Sequence, residues 1–482
     1  MSEHHRHTIF CIIPPHIFDS IAERAPDPEV RRAALEVLSV DHTMRSTRLT
    51  EQFSGAIAGD VAPSVTAHLQ RYVYNTGTSQ NLPGTLARSE GQGPSGDNET
   101  DEAYDGLGAT FNLYWNAYQR NSIDNAGLDL KATVHFGVKY DNAFWNGAQM
   151  VFGDGDGVYF NRFTIAVDVI GHELTHGVTG HQANLAYHDQ PGALNESISD
   201  VFGSLVKQYA LHQSAAQADW LIGQGLLAAG VNGVALRSMK APGSAYDDPQ
   251  LGKDPQPDHM SRYVTTASDN GGVHINSGIP NKAFYLVATA LGGNSWEQAG
   301  RIWYTTLCDP RLSSTAQFVD FANLTAANAA LLYGPAEAQH VIDAWAQVGI
   351  QVTFANSNIS GNWVLHFSWG ATSNYGQTTV SFNSNGTFGG PLTGKWHQQD
   401  GTILLSFDTG PAKYAGTVDG SVGSGAMSTF AGLDGTWYLS KQGTVGIAES
   451  IRTSVEPGTA DASGNGFSAT EPGHRTRRPA HA

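Results

Sequence analysis

The spacing of apolar residues changes twice along this chain, and that change limits its possible folds more than any other feature. Between Arg71 and Val138 strand-like runs dominate, interrupted by a polar Gly- and Ser-rich loop near Gln92 to Asn98 and a helical run from Ala109 to Gln119. From Arg162 to Gly349 apolar residues recur mainly at helical spacing, as at Ile165, Val169 and Ile170 and again at Ile198, Val201, Phe202 and Leu205, with further helices around Lys282 to Leu291 and Thr315 to Leu332. After Val352 short alternating strands return, such as Thr378-Thr379-Val380-Ser381-Phe382, separated by Asn-Gly and Gly-Gly turns. A mostly β lobe, a helical lobe and an all-β domain beginning near Asn356 follow from these regimes, an α+β arrangement with an added β domain. A length of 482 residues suits more than one core.

The ends read differently. An extended Cys11-Ile12-Ile13-Pro14-Pro15 segment leads into a helical pattern from Asp27 to Leu38 with Pro28 in its first turn, which together look like an appendage. Three Gly-x-Trp triplets, ending at Trp363, Trp396 and Trp437, enter or lie in strand-like runs, the pattern of an up-and-down barrel. A Trp on a strand is far more often core than ligand contact. Two roles for this barrel stay open: a binding module for glycan, peptide or hydrophobic ligand, or a structural cap. From Gly443 the composition is that of a disordered tail.

A net charge of −17 argues against a nucleic-acid binder, whose footprint would be basic. No apolar stretch reaches the length needed to span a bilayer, and the start does not fit a conventional secretory signal. Cys11 and Cys308 give no disulfide framework, and Cys308 reads as a small buried hydrophobe.

The chemistry concentrates in His172-Glu173-Leu174-Thr175-His176, which follows an apolar helical run. Positions four apart share one helix face, so both imidazoles can reach one ion. Such a string arises by chance in a chain of this composition with a probability of roughly two per cent, so its neighbours must decide. Glu196, twenty residues past His176, completes a His₂Glu set that leaves a fourth position for water. Asp200, one helical turn on, can fix the His172 tautomer. Glu173 can then act as general base, and Tyr187 and His274, the latter oriented by Asp269, can donate hydrogen bonds to a tetrahedral oxyanion.

These residues, with Asp141 to Gly147, Gly153 to Gly157, Asn195 to Asp200, Ala235 to Met239 and Gly271 to Leu286, resemble the thermolysin-like zinc metallopeptidases over about Arg48 to Val352. The resemblance implies a two-lobed endopeptidase with Zn²⁺ on His172, His176 and Glu196 in the cleft between lobes, acting on peptide or protein substrates. It assigns Asn142 and Ala143 to the substrate backbone and Arg237 to a substrate carbonyl. It places Phe160, Phe163, Val169, Ile222 and Leu236 around an apolar pocket, hence cleavage before hydrophobic residues, with Phe163 narrowing it. Where calcium-stabilised relatives carry acids, this chain keeps Asp168 and Asp219 but has Lys207, Leu221, Gln224 and Val234, so the paired calcium site is expected to be lost.

The Ile-Ile-Pro-Pro start narrows the likeness to the protealysin-like branch, which implies a short propeptide acting as intramolecular inhibitor. Cys11 is a candidate zinc ligand in such a zymogen. The expected divisions are 1–49 propeptide, 50–160 β-rich lobe, 161–352 helical lobe, 356–442 barrel and 443–482 tail, with maturation near Arg48 or Leu49. Family resemblance implies an extracellular protein; without a conventional signal, non-classical export and cytoplasmic residence both stay open. Neither a membrane nor a nucleic-acid partner is expected.

Overall fold

The computed structural model describes residues 10–39, 66–309, 311–352, 359–370, 375–399, 402–419, 422–429 and 434–442. The tail from Gly443 and the expected maturation point at Arg48 and Leu49 lie outside them. The chain forms two compact units, one made of residues 1–332 and 336–353, the other of 354–482 with 333–335.

The first unit has the expected β-rich lobe followed by a helical one. Its sheet comprises β1 (Phe10–Cys11), β2 (Arg71–Asn75), β3 (Thr85–Ser89), β4 (Leu130–Val134), β5 (Ala143–Trp145) and β6 (Met150–Phe152) in the order β1-β5-β6-β4-β2-β3. The strand β1 comes from the N-terminal appendage and pairs antiparallel with β5 at the sheet's edge. Extended chain ends at Pro14, because Pro15 opens helix α1 (Pro15–Arg24), where its fixed φ and missing N–H cost nothing. A second helix, α2, covers 28–39.

Helix α3 (Asn98–Tyr118) starts eleven residues earlier than the apolar spacing suggested. The polar stretch before it is a cap: Asp101 accepts backbone N–H bonds from Ser95 and Gly96 and pairs with Arg88 at 2.8 Å. Gly106 hid the helix by lowering its propensity. A Cβ there would sit 2.2 Å from Ile170, so the glycine lets α3 press against α4 (Val167–Gln182). Helix α5 (Asp189–Ala210) lies closer still to α4: a Cβ at Gly203 would meet the Asp168 carbonyl at 2.4 Å, and one at Gly171 would meet Val206 at 2.9 Å. Small residues on both faces thus bring the two helices that carry the metal donors together.

Beyond them, α6 (Gly278–Leu291), α7 (Ala299–Leu307), α8 (Phe318–Leu332) and α9 (Pro335–Gln347) pack on an aromatic core in which Trp303 stacks on Trp345 at 6.2 Å. Cys308, expected inside, is exposed because it caps the C-terminus of α7.

The second unit contains a closed barrel of eight antiparallel strands, from Gly361–Trp369 to Asp434–Lys441, the last pairing back onto the first. Trp363, Trp396 and Trp437 are at most 2 % exposed and belong to one buried cluster with Leu365, Ile403, Leu405 and Leu439. Each indole N–H donates to a backbone carbonyl, those of Ile359, Asn383 and Ala426 respectively. The triplet glycines explain their own presence at two sites: a Cβ at Gly394 or Gly435 would lie 2.1 or 2.2 Å from a carbonyl oxygen of the next strand. Among the described residues no helix is long and apolar enough to cross a membrane.

Candidate metal centre and cleft

Helix α4 presents His172 and His176 on one face, and α5 brings Glu196 against them. His172 Nε2 and His176 Nε2 stand 3.0 Å apart, and each is 3.5 Å from a Glu196 carboxylate oxygen. All three side chains are at most 1 % exposed. The outer nitrogens settle the tautomers. His172 Nδ1 donates to Asp200 Oδ1 at 2.8 Å, and His176 Nδ1 donates to Asn195 Oδ1 at 2.8 Å with Ser199 Oγ at 3.0 Å. Both inner nitrogens therefore carry lone pairs, and they face one another and a carboxylate in a buried space. Glu196 Oε2 has no hydrogen-bond donor. Convergent lone pairs without protons suit a divalent cation, and the donor set is that of catalytic zinc.

Asp200 holds more than His172. Arg237 donates to both of its oxygens at 2.8 Å, and Asn281 Nδ2 adds a bond at 2.8 Å. Burial would raise this carboxyl, but the Arg237 charge and the His172 bond outweigh it and hold it well below the usual carboxylate range. Glu173 Oε2 accepts the Trp145 N–H at 3.1 Å, which ties it to β5. Tyr187 donates its hydroxyl to Glu196 and lies 3.4 Å from His274 Nε2. His274 Nδ1 in turn donates to Asp269 at 2.7 Å. The Asp269-Asn270-Gly271-Gly272 run makes this possible with four successive positive φ angles of 54°, 50°, 84° and 77°; Gly271 also abuts Asp189, whose carboxylate a Cβ would meet at 2.2 Å.

The N-terminal segment runs straight through this constellation. Cys11 O accepts from His274 Nε2 at 3.0 Å, and Ile12 O accepts from Arg237 at 3.0 Å. The Ile12 N–H donates to Ala143 O at 3.2 Å, and the Ile13 N–H donates to Asn142 Oδ1 at 3.2 Å. Cys11, Ile12 and Ile13 are at most 1 % exposed. Among the described residues, the groups of donors close enough to share an ion are His172, His176 and Glu196, and Asp97, Glu99 and His135. The Cys11 side chain is in neither.

The five expected pocket residues are all at most 2 % exposed. Phe160 and Phe163 pack at 5.9 Å, the Leu236 N–H bonds Ile222 O at 3.0 Å, and Phe18 of α1 covers Phe160 at 6.3 Å. Lys207 Nζ lies 3.3 Å from Asp168 and 2.8 Å from Asp219, and also donates to Leu221 O. Burial would lower the ammonium's pKa, but the two carboxylates win and raise it.

Sequence reading missed Asn195 and Ser199 as partners of His176 and Asn281 as a partner of Asp200. Asn195 and Ser199 flank the proposed third ligand, one before it and three after it, and that adjacency was the available signal. His16 was also missed: it is half-buried on α1, bonded to Tyr246 at 2.9 Å, with its pKa lowered to about 4 by desolvation and by His274 and Arg237, against the pull of Asp269.

Comparison with known proteins matches residues 61–180 to the thermolysin metallopeptidase catalytic domain and 183–350 to its alpha-helical domain. An extracellular metalloprotease of Pectobacterium carotovorum is 52 % identical over 344 residues, 71 % of this chain and 97 % of its own length. Thermolysin of Alicyclobacillus acidocaldarius is 40 % identical over 286 residues, 56 % of this chain and 49 % of its own. The solved precursor of protealysin, a metalloproteinase from Serratia proteamaculans, superposes with a TM-score of 0.65 at 53 % identity, covering 71 % of this chain and 99 % of that one. The second of these matches ends at residue 350, before the barrel. Buried lone-pair donors on two glycine-packed helices, and two domain matches in sequence order, lead to one conclusion: this chain belongs to the thermolysin metallopeptidase family.

Proposed function

We propose that the chain is the precursor of an exported endopeptidase that hydrolyses peptide bonds before hydrophobic residues and is held inactive by its own first forty-nine residues or so. His172, His176 and Glu196 would hold zinc, which supplies electrophilic activation of the carbonyl and a bound water of lowered pKa. Glu173, steadied by the Trp145 N–H, takes the proton from that water and passes it to the leaving nitrogen. Tyr187 and His274 donate to the oxyanion, and Asp269, which accepts from Nδ1, orients the ring and stabilises the doubly protonated form in which Nε2 carries the proton it donates. Arg237, Ala143 and Asn142 grip the backbone on the leaving-group side. The buried cluster of Phe160, Phe163, Ile222 and Leu236 supports the apolar preference.

The single observation that carries this reading is the convergence of His172 Nε2 and His176 Nε2, 3.0 Å apart, on the buried Glu196 carboxylate. Metal analysis and casein hydrolysis of the matured protein test it. Glu173→Gln should keep zinc and lose activity by about a thousandfold, whereas equal activity in both proteins would end the scheme.

The charged Lys207, seated between Asp168 and Asp219, supports loss of the calcium site, since an ammonium there supplies the positive charge a cation would bring. Millimolar calcium should then leave the melting temperature unchanged. For the barrel, an interior occupied by Trp and aliphatic side chains favours a structural role over an internal ligand site.

A further inference from the structure

We propose that the precursor presents its own Cys11–Ile12 peptide bond for hydrolysis, so that the first cut is made within the cleft and leaves Ile12 as a new N-terminus. This rests on the peptidase reading above. An inhibitor can fill a cleft in many ways, including reversed or displaced from the catalytic groups. This one does neither. Four consecutive main-chain bonds fix both direction and register: Cys11 O to His274, Ile12 N–H to Ala143, Ile12 O to Arg237 and Ile13 N–H to Asn142. His274 is the donor placed for the carbonyl that becomes an oxyanion, and it touches Cys11. Arg237 and Ala143 serve the residue that carries the leaving nitrogen, and both touch Ile12.

Phe10 and Cys11 pair with Trp145 and Phe144, and Trp145 is the residue whose N–H holds Glu173. The general base and the Cys11 carbonyl are therefore anchored to the same short strand pair.

In the step, a water oxygen adds to the Cys11 carbonyl carbon while Glu173 takes its proton. The C–N bond to Ile12 breaks, the nitrogen receives that proton, and a Cys11 carboxylic acid and an Ile12 amine result. No oxidant or further reactant is needed. The cut frees residues 1–11 but not the rest, since Ile17, Phe18 and Ile21 of α1 stay buried, at most 2 % exposed, with Phe18 on Phe160. A nicked precursor that remains blocked thus precedes full release.

The test follows zinc-loaded full-length precursor by intact mass and N-terminal sequencing, beside the Glu173→Gln precursor. In parallel the matured enzyme is given the peptide of residues 7–15, HTIFCIIPP. A chain beginning at Ile12, absent from the variant, and scission of the peptide between Cys and Ile are expected. Casein hydrolysis with this bond intact in both formats overturns the inference, and is the result a Cys11 thiolate on the zinc would give. Failure to cut casein as well as the peptide removes the peptidase reading itself, and the inference with it. Hydrogen exchange in the zinc-free precursor reads the register without catalysis. Asn142→Ala should speed exchange at Ile13 at least about tenfold while leaving Ile12 protected; equal protection at Ile13 overturns the register.

Discussion

Around His172 the buried groups are polar and point at one another, whereas around Trp437 they are aromatic and aliphatic and each indole N–H turns away to a backbone carbonyl. Both regions exclude water almost completely. In the peptidase unit the outer atoms of each ring are satisfied by Asp200, Asn195 and Ser199, so that the inner atoms are left with lone pairs that need a cation. In the barrel the donors of all three Trp side chains are satisfied locally. The difference separates burial that creates a binding demand from burial that merely stabilises.

Perturbing each region should therefore have separate effects. Asp200→Asn leaves Arg237 buried without its counter-charge and should destabilise the peptidase unit by about 3–5 kcal/mol, seen as a lowered melting transition, while the barrel's tryptophan fluorescence stays native. Trp437→Ala opens a cavity and should cost the barrel about 3–5 kcal/mol with casein hydrolysis unchanged; lost activity would break the distinction.

Mild acid should weaken the docking of the appendage. His16 docks neutral, its pKa lowered from 6.5 to about 4 beside Tyr246, Asp269, His274 and Arg237. Docking is then at full strength above about pH 6.5 and weakens as pH falls towards 4, by at most about 3 kcal/mol. Exchange of the Ile12 and Ile13 amides against pH measures this, and His16→Gln should flatten the profile. The smallest effect belongs to Asn195→Ala, which should loosen zinc about tenfold by equilibrium dialysis, without moving either melting transition greatly.

Legibility followed the range of the interactions involved. The spacing of His172 and His176 is a local helical fact, so it could be read directly, and Asp200 could be placed one turn from Glu196 for the same reason. That Glu196 meets the histidines depends on Gly171 and Gly203 letting α4 and α5 close, a packing fact that the sequence showed as unremarkable glycines. The first half of α3 was invisible because Gly106 and Gly108 look like loop residues until Ile170 fills the space above one of them. Helix α1 was hidden behind two prolines, although Pro15 at a first helical position is favourable. Two-residue β1 has no periodicity to detect, and its pairing is decided by the edge of β5. The barrel's alternation was plain, but closure depends on Lys441 meeting Trp363, seventy-eight positions away.

That edge of β5 has a further consequence. With residues 10 and 11 removed, Ala143 to Trp145 become an outer strand, still paired with β6 but with the main-chain groups on its other side unpartnered, the kind of surface that recruits stray chains and promotes aggregation. In the proposed maturation the appendage would cover this edge until it is cut away. In the proposed peptidase the bared edge would add a requirement to the apolar preference, because it accepts main chain only in extended form. A target for the proposed enzyme would have to offer main chain free of its own sheet or helix, so unfolded segments and loops would be open to attack while an intact strand inside a folded protein would be shielded by the neighbours it already has.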